Sequence, residues 1–128
     1  MITEDYVSFE VAKLLKEKGF DGITEKWYLK YKGEYTLVSK GTAEHPDSSI
    51  DVPTIQMAMK WLREVYSLHC NSDYDFVLGW YCQITSLKET VEYDYEEMKH
   101  YHPEKDSGFS SPEEACEAAI KYCLENLV

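Results

Sequence analysis

Glu97-Met98-Lys99-His100 has the spacing of a carboxylate–histidine metal half-site, because residues three apart share one face of a helix. Carboxylate-bridged centres need two such copies and further Glu residues from facing helices. The chain has one copy, with His102 close by, in a polar and aromatic stretch broken by Pro103 and Gly108. Glu97, His100 and His102 are therefore expected in a solvated loop, and no metal ligand is assigned. His69-Cys70 puts a base beside a nucleophile in sequence. On a strand, however, neighbours point to opposite faces, so these two cannot act on each other. The paired acids Glu96-Glu97 and Glu113-Glu114 could do acid–base chemistry only if desolvated. Glu113-Glu114 already suits the first turn of a helix.

The sequence has no Gly-x-Ser-x-Gly elbow, no phosphate-cradling glycine loop, no dinucleotide fingerprint and no His-Glu-x-x-His. No catalytic residue and no cofactor are assigned, and the chain is read as a non-enzyme. Cys70 and Cys82 are twelve apart, Cys116 and Cys123 seven apart, with no Cys-x-x-Cys pair. Two turns of helix separate Cys116 from Cys123, too far for a disulfide. All four are expected to behave as small buried hydrophobes.

Aromatic content is the most unusual feature, with 11 Tyr, 3 Trp and 4 Phe. Tyr93, Tyr95, Tyr101 and Phe109 sit among acids, where a packed core is least expected. Tyr-rich polar surfaces make good protein-binding surfaces. These four residues, or an exposed face holding Tyr28 and Tyr81, are the candidate contact surface for a protein partner or a second copy of the chain.

The elements that must position these residues follow from pattern. Ser8 can cap a helix over Phe9–Lys18, with Gly19 as its stop. Lys26–Tyr31 and Glu34–Ser39 alternate around Lys32-Gly33 as a hairpin. Residues 41–52 read as a long internal loop. Ile55, Ala58, Met59, Leu62 and Val65 make one helical stripe ending near Tyr66. Three strands are then expected, at Ser67–Asn71, Asp75–Ser86 and Thr90–Tyr95, with Asn71-Ser72-Asp73 as a turn. Glu96–Phe109 reads as loop. Ser111, Pro112 and Glu114 open the last helix with a capping box, whose Glu117 and Lys121 stand in ion-pair order.

The expected fold is one α+β domain over residues 1–128. An antiparallel sheet packs against helices in the order α-β-β-α-β-β-β-α, in two layers. From Pro53 onward the order matches a double-stranded-RNA-binding domain, but Glu113, Glu114 and Glu117 stand where such a domain needs basic residues.

A net charge of −11 opposes binding to nucleic-acid backbones and anionic membranes. Residues 1–52 contribute −3 (7 Lys, 10 acids) and residues 53–128 contribute −8 (5 Lys, 1 Arg, 14 acids). The acidic half leaves open a second class of function, an acidic nucleic-acid mimic that inhibits a DNA- or RNA-binding protein. The acidic start of the chain lacks an apolar segment of signal-peptide type, which places the protein in the cytoplasm.

Val7–Phe20, Gln56–Val65 and Glu113–Leu124 resemble small uncharacterised proteins of Bacteroides genomes and their phages or mobile elements. The resemblance covers three helices and carries no catalytic motif, so it transfers no site residue. It implies an accessory protein of a prophage or mobile element. Together with the aromatic surface, it makes a non-enzymatic protein-binding factor the first expectation. An enzyme with an unrecognised site is the third.

Overall fold

The chain is α+β. The structure, a computed structural model, describes residues 2, 4–41, 48–93 and 108–128. Helix α1 spans Phe9–Glu17, and the Ser8 hydroxyl accepts from the Val11 N–H at 3.3 Å. It ends where Phe20 N–H reaches the Leu15 carbonyl and Gly19 N–H the Lys16 carbonyl, the paired bonds of a Schellman stop. Strands β1 (Lys26–Tyr31) and β2 (Glu34–Ser39) form the expected hairpin, with positive φ at both Lys32 and Gly33. Helix α2 (Ile55–Tyr66) is capped by Thr54, whose hydroxyl accepts from Met57 N–H at 3.2 Å. Helix α3 (Pro112–Tyr122) is capped by Ser111 and continues as a π-helical turn over Cys123–Leu127.

Two strand assignments differ from the sequence pattern. Ile50–Val52, inside the expected 41–52 loop, forms strand β3 against β1. Ile50 and Val52 point into the core while Asp51 pairs with Lys40 at 2.7 Å. Three residues are too few to show a period, so this strand is made by its tertiary contacts. Of the rest of that loop, residues 42–47 lie outside the described residues. The second difference is in the long strand expected over Asp75–Ser86. Its first part is a turn at 76–78, its remainder is strand β5 (Gly79–Ser86), and the preceding strand β4 (Leu68–Asp75) runs up to that turn. The turn expected at Asn71–Asp73 lies within β4. Strand β6 (Val91–Tyr93) completes the set.

The described strands form two antiparallel sheets, ordered β2-β1-β3 and β4-β5-β6. Each makes two layers with its helices: β3 packs on α1, while β4 packs on α2 and α3 and β5 on α3. The helices join these layers. Lys121 of α3 pairs with Glu10 of α1 at 2.9 Å, and Glu117 accepts from Ser8 N–H at 2.5 Å. Glu114 reaches one residue beyond the expected capping box, accepting from the Ser110 N–H and hydroxyl. One cluster of buried side chains runs through Val11, Leu15, Val52, Leu62, Ile84 and Ile120. No described helix is long and apolar enough to cross a membrane.

Candidate functional site

The β4–β5 tip breaks the rule that apolar side chains turn inward. Asp75 stands opposite Gly79, with Phe76, Val77 and Leu78 between them. Gly79 has φ +95°, a conformation that side-chain-bearing residues rarely adopt. The Asp75 carboxylate accepts from Val77 N–H at 2.7 Å and from Leu78 N–H at 2.9 Å. These bonds, Leu78 first and Val77 second, hold its carboxyl below the ordinary 3.8. The turn is thus closed by its own acid, and three residues have no backbone to spare for covering their side chains. Phe76 is 97% exposed and Val77 91%.

Behind the tip, Tyr74 and Trp80 face each other across the strands with ring centroids 5.2 Å apart. The Phe76 ring lies 5.9 Å from Tyr74. A backbone staple holds the base of the hairpin. Gly108 N–H donates to Leu78 O at 2.6 Å, Phe109 N–H to Trp80 O at 2.7 Å, and Trp80 N–H to Phe109 O at 3.3 Å. Gly108 is required there, because a Cβ would stand 2.3 Å from the Leu78 carbonyl oxygen. The result is a fixed hairpin presenting Phe76 and Val77 to solvent, with Tyr74 and Leu78 partly exposed beside them. Leaving a Phe or Val in water forgoes roughly 1.5–3 kcal/mol that a complementary apolar surface would recover.

Of the surface expected from sequence at Tyr93, Tyr95, Tyr101 and Phe109, the structure describes Tyr93 and Phe109. Phe109 is 6% exposed and belongs to the core, so it is not a surface contact residue. Its ring is buried because its backbone is stapled to Trp80. Tyr93 pairs with Ile84 and its ring packs 5.9 Å from Tyr122. Tyr95 and Tyr101 lie outside the described residues, as do Glu96, Glu97, His100 and His102. Tyr28 packs edge-on against Phe9 at 5.2 Å, and burial, then Glu117, raises its hydroxyl pKa. Sequence reasoning missed Phe76 and Val77 because Phe76 and Leu78 continue the alternation of Trp80, Cys82 and Ile84. The signal that marks the turn is Asp75 four residues before Gly79.

All four cysteines are free thiols and buried. They converge from β4, β5, α3 and the π-helical turn. Cys70 and Cys123 share a hydrogen bond at 3.8 Å, which, with burial, pushes the Cys70 thiol well up. Burial pushes Cys82 up to about 12. Cys116 is raised mainly by burial, against a hydrogen bond from Ser72 that lowers it. Thiols held protonated are poor nucleophiles. His69 is exposed while Cys70 is buried, on opposite faces of β4 as expected. Among the described residues no group of three or more His, Cys, Asp or Glu is placed to hold a metal ion. No family model, no curated protein and no solved structure matches the chain.

Proposed function

We propose that this protein works by binding another protein, with the β4–β5 tip as its contact surface. One observation carries this: Phe76 and Val77 are almost wholly exposed on a turn that is already fixed. Aromatic side chains on a pre-organised tip make strong anchors, because little conformational freedom is left to lose on docking. Asp73 and Asp75 flank the tip, and the chain carries −11, so an anionic membrane is a poor target. The partner that fits offers an apolar pocket. The binder is non-enzymatic and, with four free cysteines, suits a reducing bacterial cytoplasm. Its helices resemble those of Bacteroides mobile-element proteins, which makes an accessory role in such an element the natural setting.

The test is paired capture from a Bacteroides lysate with wild-type bait and with Phe76→Ser/Val77→Ser bait, at low and at high salt. A protein retained by wild type at both salt concentrations and lost with the variant supports tip docking. Retention that is unchanged in the variant and collapses with salt would replace it with acidic mimicry of nucleic acid.

A further inference from the structure

Among the described strands, β4 is an edge of its sheet, since the order is β4-β5-β6. Its outward backbone groups follow from the phase of its pairing with β5. Leu87 N–H donates to Ser67 O at 2.8 Å, just beyond the ladder's end, and on the far side of β5 the backbone of Trp80 bonds outward to Phe109. In an antiparallel pair, hydrogen-bonded and non-bonded positions alternate. Both observations give the same phase. His69, Asn71 and Asp73 bond to β5, whereas Cys70 and Ser72 turn their N–H and C=O groups away from it. Among the described residues, no backbone partner meets Cys70 or Ser72 on that outer side.

That edge is one wall of a cleft of about 390 Å3, whose other wall is the outer stripe of α2 bearing Gln56, Lys60 and Arg63. His69 also lines it, and none of its lining residues is acidic. Arg63 is the single arginine of a chain with net charge −11, and it makes no ion pair among the described residues. Lys60 has Glu64 at 4.0 Å, a loose exposed pair. Past Ser72 a second cleft of about 340 Å3 shares Gln56, Ser72 and Cys116 with the first, and its charge reverses at Glu4, Asp5 and Glu113.

We propose that this groove takes an extended peptide segment, which adds as a fourth strand along the outer edge of β4. An acidic residue of the peptide sits at the Arg63–His69 end and a basic one toward Glu113. An edge strand beside a helix supplies what such addition needs: main-chain groups for affinity and pockets on the helix side for alternate side chains. The groove's charge complements the acid, and its length along Cys70–Ser72 fits main-chain pairing, which a compact small anion cannot use. This is a second surface, separate from the hairpin tip.

A displayed random octapeptide library, selected on the purified full chain, tests it. The selected peptides are expected to carry Asp or Glu at one end and Lys or Arg toward the other. On adding the synthesised peptide, the Cys70 and Ser72 amides become protected from hydrogen exchange. N-methylation of alternate peptide residues abolishes binding in one phase and leaves it in the other. Arg63→Glu, on the exposed face of α2, weakens the peptide about tenfold or more, while Phe76→Ser leaves it unchanged. A selection yielding no peptide, equal binding by Arg63→Glu, or protection away from β4 would overturn the proposal. So would inorganic phosphate alone shifting Lys60, Arg63 and His69 with no effect on the two amides, the signature of a simple anion site. Loss of peptide binding in Phe76→Ser would assign the peptide to the tip and overturn the groove.

Discussion

Replacing Gly108 by Ala probes the staple that sets the hairpin. The new Cβ would stand 2.3 Å from Leu78 O, 2.7 Å from Trp80 O and 2.9 Å from the Leu78 carbonyl carbon. All three are backbone atoms, so no side-chain rotation relieves the contact. If the strands give way locally, overpacking of this kind costs about 1–3 kcal/mol. If the segment detaches instead, three backbone hydrogen bonds go, at about 1 kcal/mol each, and Phe109 leaves the core at roughly 1.5–3 kcal/mol more. The two cases separate by experiment. Urea unfolding gives the loss in stability, and hydrogen exchange at the Phe109 amide reports whether the segment still pairs with Trp80. We expect a loss of at least about 1 kcal/mol, rising to about 4 kcal/mol or more with faster exchange at Phe109 where the segment detaches. A variant with the wild-type midpoint and a protected Phe109 amide would refute the placement of 108–109 against the hairpin.

The core and the tip should respond oppositely to truncation. Leu62→Ala, at a fully buried site, should cost about 2–5 kcal/mol, and Phe76→Ala about 0.5 kcal/mol or less, both read from chemical denaturation. A thiol reagent at pH 8 should titrate almost nothing in the native protein and four thiols in denaturant, since Cys82 is pushed up to about 12 and the others are buried. A native thiol reacting within seconds would contradict that burial. Asp75 has a depressed carboxyl pKa, so its contribution is fully present above the ordinary 3.8 and is lost as pH falls through the lower folded value. The stability difference between wild type and Asp75→Asn should therefore narrow only in strong acid. A difference already gone at pH 5 would contradict the two turn bonds.

Two helices were legible from their caps, since Ser8 and Ser111 accept the bonds their positions imply, and α2 was legible from the apolar stripe Ile55, Ala58, Met59, Leu62 and Val65. The Lys32-Gly33 hairpin was legible for the same local reason. Other features depend on partners far away in sequence. Ile50–Val52 becomes a strand only beside β1. Phe109 enters the core because the backbone at Gly108 and Phe109 bonds to Leu78 and Trp80. Cys70 and Cys123 meet across 53 residues. The tip was hidden by a local ambiguity, since alternating Phe76, Leu78 and Trp80 look like one continuous strand. Asn71, Ser72 and Asp73 favour turns elsewhere, but here they are held extended by pairing with β5. Of the contact surface expected at Tyr93, Tyr95, Tyr101 and Phe109, Phe109 joins the core instead, because polar neighbours in sequence do not report neighbours in space.

Phe76 and Val77 are the proposed anchors for a protein partner. The direct measurement is the Kd of a purified captured partner for wild type and for Phe76→Ser/Val77→Ser, with the melting temperature of each bait measured alongside. Anchors of this kind contribute about 2 kcal/mol or more, so the variant should bind roughly 30-fold more weakly or worse while melting at the wild-type temperature. Equal Kd values for the two baits would contradict the account.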